Sequence, residues 1–470
     1  MKDLRDKCGV MAVYNSPRAA QDLYLGLHAQ QHRGQESAGM LVSSGPGVNT
    51  LHRDQGLVTQ VFSDETLERL AGHFGIAHVR YATAGCGGQK NIQPLVVTHR
   101  DEVIAIAHNG NITNAGRLKK QMEDDGSLFH TSSDTEVVLH RIVRVKHESP
   151  IEQIRTGLRD VEGAYSLVIK FENAIAGVRD PFGFRPLHLG KRDDAWFFAS
   201  ETCAFDIVGA EWVCEVKPGH GFLVSDQGLE PFALEQPPQP RFCAFELVYF
   251  SRPDSCHGNS SIHAVRVEMG QALYEEHPAE ADVVTAVPDS SNSAALGYAH
   301  ASGIPLDIGL IRSHFSGRTF IAPHQALRDT RVRQKFNVIR DAVDGKRVVV
   351  VDDSVVRGTT SRKIIQLFRE SGAREVHFRI ASPMVQHPCF FGVDMPERGA
   401  FLANKVPDGM LADFLGVDSL GFLSREALKR IIGPDSCDAC FTGNYPIRID
   451  ETPGQVIKRK EKPLGKFDYV

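Results

Sequence analysis

The sequence predicts two α/β domains: a sheet-rich mixed domain in the first half and a doubly wound parallel sheet in the second. Three observations carry this. Short β-branched runs between Gly, Asn and Asp turns fill the first half, and four prolines fall between Pro231 and Pro240. Beyond them the order becomes strand, Gly or Ser loop, helix. At 470 residues, 42% of them hydrophobic, the chain can build two or three cores.

In the first half, Gly9 to Tyr14, Gly75 to His78, Val103 to Ala107, Tyr165 to Lys170, Ala174 to Val178 and Trp196 to Ala199 read as strands. Two helices are interleaved. Ala19 to Gln31 has Leu23 and Leu27 on one side, and Ser133 to Lys146 carries Val137, Val138 and Ile142 at helical spacing. Pro231, Pro237, Pro238 and Pro240 would stop a central strand or helix, so the domain boundary is set near residue 235. Past it, Asp282 to Val287 leads to a helix over Ser293 to Ala301. Arg347 to Val351 leads to a helix over Thr360 to Ser371, and Glu375 to Ala381 is a further strand. That alternation is the pattern of a parallel doubly wound sheet. Leu411 to Ile432 reads as one or two helices ending at Gly433-Pro434. The expected division is therefore a leader over 1–7, domains over 8–235 and 236–450, and a weakly patterned tail over 451–470.

Charge and hydropathy exclude several classes. Fifty-three basic against 58 acidic residues give a net charge of −5, which removes the simplest electrostatic reason to expect nucleic acid or a membrane surface as partner. No run of 18 apolar residues is present, and Met1 to Lys7 lacks the apolar core of a secretory signal, so the expected compartment is the cytoplasm. Nine cysteines, an odd number in a long chain, suit thiols, metal ligands or a nucleophile better than a disulfide framework.

Cys8 stands directly before an apolar strand. If the seven residues before it were removed, its thiol and its new α-amino group would share one residue. A free α-amino group has a pKa of about 7.7 to 8.0 and can take the thiol proton, making a self-contained nucleophile and base. Three further stretches carry polar and glycine residues suited to acyl transfer: Gln31 to Gly39, His78 to Gly85, and His108 to Asn114, followed by Thr131-Ser132-Ser133-Asp134. Asn109-Gly110 is by itself a hairpin-turn signal, although a turn can also present its N–H and amide to a ligand. Together these stretches resemble the glutaminase domain of the N-terminal-nucleophile amidotransferases, whose fold is an αββα sandwich. The resemblance implies that Cys8 attacks the side-chain amide of glutamine and that Asn109 and Gly110 stabilise the oxyanion. It also implies that Arg80 holds the α-carboxylate of glutamine, that Asp134 holds its ammonium group, and that Arg33 supports the pocket.

Arg347-Val348-Val349-Val350-Val351 is a buried-strand pattern that runs into Asp352-Asp353, then Gly358-Thr359-Thr360-Ser361 opens a helix. Helix N–H groups and hydroxyls can hold a phosphate, Gly358 permits close approach, and the two acids can hold sugar hydroxyls and a magnesium ion. The string resembles the phosphoribosyl pyrophosphate (PRPP) motif of type I phosphoribosyltransferases. That resemblance adds Ser290, in Pro288-Asp289-Ser290-Ser291, as a magnesium-side ligand with Asp352 and Asp353. His314 to Phe320 through Lys335 resembles the loop that closes over PRPP, with Phe315 where a tyrosine is expected. No Walker or dinucleotide-binding glycine pattern is present.

Cys437-Asp438-Ala439-Cys440 is a C-x-x-C pair compatible with zinc, an iron–sulfur cluster or a redox couple. Its surroundings through Pro446, with those of Cys243 and Cys389, resemble the glutamine PRPP amidotransferases that carry a propeptide and a [4Fe–4S] cluster. Cys243, Cys389, Cys437 and Cys440 are then the implied thiolates. The resemblance implies transfer of ammonia from glutamine to C1 of PRPP, giving 5-phosphoribosylamine, glutamate and pyrophosphate at the start of purine synthesis. It further implies magnesium, a homotetramer and feedback inhibition by purine nucleotides. Hexosamine or asparagine synthesis would use the same glutaminase half but should not need the Asp352 to Ser361 string. A non-catalytic PRPP-sensing regulator should not depend on Cys8.

Overall fold

The computed structural model describes residues 8–81, 89–147, 149–313 and 333–449. The expected leader over 1–7, the tail over 451–470, and most of the His314 to Lys335 loop with Phe315 lie outside the described residues.

The chain forms two compact units. Of the described residues, one gathers the N-terminal half up to Phe242 with Phe390–Asp394 and residues 445–449; the other holds those of Cys243–Cys389 and Met395–Asn444. The division falls at Phe242 rather than near 235, because the proline-rich stretch is still tied to the first unit. Gln239 N–H donates to Pro181 O and Arg241 N–H to Phe182 O, at 2.8 and 2.7 Å.

The first unit is an αββα sandwich. Its seven-stranded sheet runs in spatial order Glu211–Glu215, His188–Arg192, Ala195–Ala199, Cys8–Tyr14, Phe74–Arg80, Ser37–Gly45, Val48–Gln55. The six-stranded sheet runs Gly228–Ala233, His220–Ser225, Ala174–Arg179, Gly163–Lys170, Glu102–Ile112, Leu95–His99. Side chains alternate faces along a strand, and the cores follow that period. Along Cys8–Tyr14, Val10, Ala12 and Tyr14 enter the core between the sheets. Met11 and Val13 pack on the helix side with Leu23 and Leu27 of Ala19–Ala29. On the second sheet Ala105 and Ala107 face the other sheet. Ile104, Ile106 and Ile112 face the helices Asp134–Val143 and Pro150–Leu158. The helix expected over Ala19 to Gln31 ends at Ala29 and the chain tightens into a short turn over Gln31–Arg33.

The second unit is built on a parallel sheet, Val283–Ala286, Arg347–Asp352, Glu375–Ile380, Ser419–Phe422. Val348, Val349, Val350 and Val351 are fully buried, as a strand covered on both faces requires. The helices Asn292–Ser302 and Thr359–Glu370 follow the first two strands. Loops that carry function in such sheets leave the C-terminal strand ends, which here are Ala286 and Asp352.

Candidate active sites

In the first unit, Cys8 opens the central strand and is 6% exposed. Its even position puts its side chain on the inter-sheet face with Val10. Arg80 lies directly opposite Cys8 across the antiparallel pair, and opposite residues share a face. Asn109 has the parity of Ala105 and Ala107, so it faces the same inter-sheet space from the second sheet. Three residues from separate stretches of sequence are thus turned toward one region.

Asn109-Gly110 is not a turn. It lies within the strand Glu102–Ile112, paired with Ser166 and Tyr165. The even-numbered pattern Ile104, Ile106, Ile112 continues through it and overrides the local turn preference. Gly110 has φ of +151°, and a Cβ there would stand 2.0 Å from the Ala164 carbonyl oxygen, so no side chain fits.

Asp134 starts the helix Asp134–Val143. One carboxylate oxygen accepts from Ile112 N–H at 2.9 Å, which docks the helix on the strand just past Gly110. His108 Nδ1 lies 3.9 Å from the same oxygen. Behind Asn109, His78 is fully buried and its pKa falls to about 3 by burial, so it is neutral and donates to His108 O at 3.1 Å.

A buried polar network, of which the sequence indicated only Arg33, surrounds Cys8 and the strand it opens. Arg33 is fully buried; its Nε donates to Cys8 O at 3.1 Å and its Nη1 binds Glu201. Glu201 is also within 2.7 Å of His32 Nε2. Ser200 and Gln30 hold the strand two residues on from Cys8: Val10 N–H donates to Ser200 Oγ at 3.0 Å and Gln30 Nε2 donates to Val10 O at 3.3 Å. A further missed element is Phe390–Asp394. Asn111 Nδ2 donates to Phe390 O at 2.9 Å, Phe391 stacks on Phe184 at 4.2 Å, and Gly392 is close to Gly110.

In the second unit a cavity of about 250 Å³ lies at the strand ends. Asp352, Asp353, Gly358, Thr359, Thr360, Ser361 and Ser290 all line it, joined by Arg312, Lys335 and Tyr249. Ser291 Oγ donates to Asp352 at 3.1 Å, and Ser290 and Ser354 each donate to Asp353 at 2.5 Å. Burial raises both carboxyls, and repulsion from Asp353 adds to the rise at Asp352. Such a pair favours a ligand that brings positive charge. Gly358, at φ +72°, caps the helix Thr359–Glu370, whose first residues Thr359, Thr360 and Ser361 line the cavity.

Cys243, Cys389, Cys437 and Cys440 all belong to the second unit. Burial holds the thiols of Cys437 and Cys440 well above the ordinary value, and in Cys440 the neighbouring Cys243, Cys389 and Cys437 add to the rise. The C-x-x-C turn is anchored by Arg425, which donates to buried Asp438 at 2.6 Å. Among the described residues no three His, Cys, Asp or Glu side chains stand at the spacing of a single metal ion. No helix among them is long and apolar enough to cross a membrane.

The family model of a glutamine amidotransferase domain matches residues 78–206. The chain is 47% identical over 457 residues to amidophosphoribosyltransferase of Bacillus subtilis, covering 96% of each chain. It is 48% identical over 451 residues to the chloroplastic amidophosphoribosyltransferase 1 of Arabidopsis thaliana, covering 95% of this chain and 80% of that one. A solved glutamine PRPP amidotransferase from Bacillus subtilis, complexed with ADP and GMP, superposes with a TM-score of 0.89 at 46% identity, covering 94% of this chain and 98% of that one. With an αββα glutaminase-type unit and a phosphoribosyltransferase-type unit in one chain, the protein belongs to the amidophosphoribosyltransferases, the enzymes that use glutamine and PRPP in the first step of purine biosynthesis.

Proposed function

We propose that Cys8, made N-terminal by removal of residues 1–7, is the nucleophile that releases ammonia from glutamine, and that the Asp352 to Ser361 region holds the PRPP that ammonia attacks. The carrying observation is that Cys8, Arg80 and Asn109 face one inter-sheet space from two sheets. In this reading the α-amine of Cys8 takes the thiol proton, and the sulfur attacks the glutamine amide carbon. Charge developing on the former carbonyl oxygen is met by the Asn109 amide and Gly110 N–H. The proton on the amine passes to the departing nitrogen, and ammonia leaves. Water then releases glutamate. Arg80 forks onto the glutamine α-carboxylate. Asp134, whose oxygens already accept from Ile112 N–H and Thr135 N–H, offers its remaining lone pairs to the ammonium group.

In the second unit, Thr359, Thr360, Ser361 and the helix N–H groups suit the 5-phosphate, and Asp352 and Asp353 suit the ribose hydroxyls. The buried acids with Ser290 are an oxygen donor set that fits magnesium, which would supply charge neutralisation for the departing pyrophosphate. Cys243, Cys389 and Cys437 all lie near enough to Cys440 to raise its thiol, and four such thiols suit an iron–sulfur unit, so we assign Cys243, Cys389, Cys437 and Cys440 to a [4Fe–4S] cluster. That assignment puts the chain in the propeptide-bearing, cluster-bearing subclass. A homotetramer and inhibition by purine nucleotides complete the proposal.

The test is release of glutamate and pyrophosphate from protein given glutamine, magnesium and PRPP, with each omitted in turn and intact mass recorded on the same sample. Matched, PRPP-dependent release of both products is expected. Absence of both from protein whose mass begins at Cys8 would refute the reading.

A further inference from the structure

Ser200 is fully buried at the end of the strand Ala195–Ala199, and its hydroxyl touches two groups. It accepts the N–H of Val10, two residues after Cys8, at 3.0 Å, and it lies 3.5 Å from Asn109 Nδ2. The Ser200 N–H is already used by Val10 O and Gln30 Oε1, each at 3.1 Å. Asn109 is fully buried too, and its Oδ1 has no hydrogen-bond partner.

Hydrogen-bond accounting decides how this pair must be arranged. A hydroxyl has one proton to give and two lone pairs. With Nδ2 toward Ser200, the hydroxyl accepts twice, its own proton has no acceptor, and Asn109 Oδ1 is orphaned as well. Turning the Asn109 amide by 180° about Cβ–Cγ exchanges its two ends. The hydroxyl then donates to Oδ1 while still accepting from Val10, so both orphans are satisfied by one bond. The amide nitrogen is left with its N–H groups free on the side where Oδ1 stood.

We infer that Ser200 is a positioning residue for glutamine hydrolysis: its hydroxyl donates to Oδ1 of Asn109 and so fixes the amide NH₂ as the oxyanion donor. This rests on the proposed role of Asn109. Ser200 does not touch the substrate in this account. It acts by removing the amide orientation that would present an oxygen, rather than a donor, to the developing negative charge. Because the same hydroxyl holds Val10, it also sets the donor in register with the strand that begins at Cys8.

The experiment is a double-mutant cycle on the full-length, processed enzyme with Ser200→Ala, Asn109→Ala and the pair. Glutamine-dependent kcat and KM are measured beside ammonia-dependent amination of PRPP. Ser200→Ala should lower glutamine-dependent kcat by roughly ten- to a hundredfold, less than the roughly hundred- to thousandfold cost of removing an oxyanion donor outright, because the amide is misoriented rather than lost. The KM for glutamine and the ammonia-dependent rate should stay within about twofold. In the Asn109→Ala background the same change should cost less than about twofold, since no amide remains to orient. An equal loss in both backgrounds, a raised KM at unchanged kcat, or wild-type kinetics overturns the inference. If Ser200→Ala does not fold, Ser200→Cys, a weaker donor, is read in the same cycle by the same criteria. If Asn109→Ala is itself unimpaired, the reading of Asn109 fails; if it is impaired and Ser200→Ala is not, only the role of Ser200 fails.

Discussion

Replacing Arg33 by Met should separate stability from catalysis in the glutaminase unit. Arg33 is fully buried, Glu201 is 1% exposed, and the two are in direct contact. Removing only the cation leaves a carboxylate in a dry site beside His32, and breaking a buried pair in this way costs about 3–5 kcal/mol. For a unit of this size each kcal/mol moves the melting temperature by about 2–4 °C, so Arg33→Met should melt roughly 6–20 °C lower. Adding Glu201→Gln removes the stranded charge, and the double variant should regain most of that loss. Turnover should not follow. Met cannot donate to the Cys8 carbonyl as Arg33 Nε does at 3.1 Å, so glutamine-dependent kcat should remain about ten- to a hundredfold down in the double variant. Ammonia-dependent amination of PRPP, measured on the same samples, should be close to wild type. Calorimetry of the three variants supplies the cycle. If the two single losses simply add in the double variant, the ion pair is not coupled and the reasoning fails.

Gly110→Ala should abolish most glutamine-dependent turnover, by about a hundredfold or more, while ammonia-dependent activity survives, because the Cβ would meet Ala164 O at 2.0 Å; intact glutamine use would refute the fit argument. Asp180 is fully buried and its carboxyl is pushed up to about 6 by burial, although it accepts N–H bonds from Tyr165, Phe182 and Phe184. The folded form then holds its proton more tightly than the unfolded chain, so about 3 kcal/mol of stability present below pH 4 is lost as pH rises through about 6. Thermal melts of Asp180→Asn should lack that fall, and an unchanged profile would count against Asp180 as its source. Anaerobically purified protein should contain about four iron and four sulfide per chain and lose both in Cys437→Ser; zinc in place of iron would end the cluster assignment.

The two sites differ in how far they could be read from sequence, and the reason is chain locality. The proposed PRPP site is almost one uninterrupted string. The strand Arg347–Asp352, its terminal acids, the left-handed Gly358 and the hydroxyl-bearing first turn of the next helix follow within fifteen residues. Each part also has a local conformational reason to be where it is, so reading order and spatial order coincide. In the glutaminase unit the individual stretches were legible, but their supports are not local. Glu201 reaches Arg33, Ser200 joins Val10 to Asn109, and Phe390–Asp394 comes to Gly110 and Asn111 from the far end of the chain. Nothing in the residue types of Ser200 or Glu201 marks them off from ordinary buried polar residues. Asn109-Gly110 is the opposite case, a strong local turn signal overridden by strand pairing with Ser166 and Tyr165. The apolar run Val103 to Ala107 marks the strand, and the fold extends it past the glycine to Ile112 through polar residues that carry no such mark. In the proposed site, Cys8 and the Asn109-Gly110 donors lie on strands of different sheets, as groups that approach one carbonyl from different directions must. A site of that kind is specified by the pairing register of two sheets, which a single sequence encodes only through its alternation.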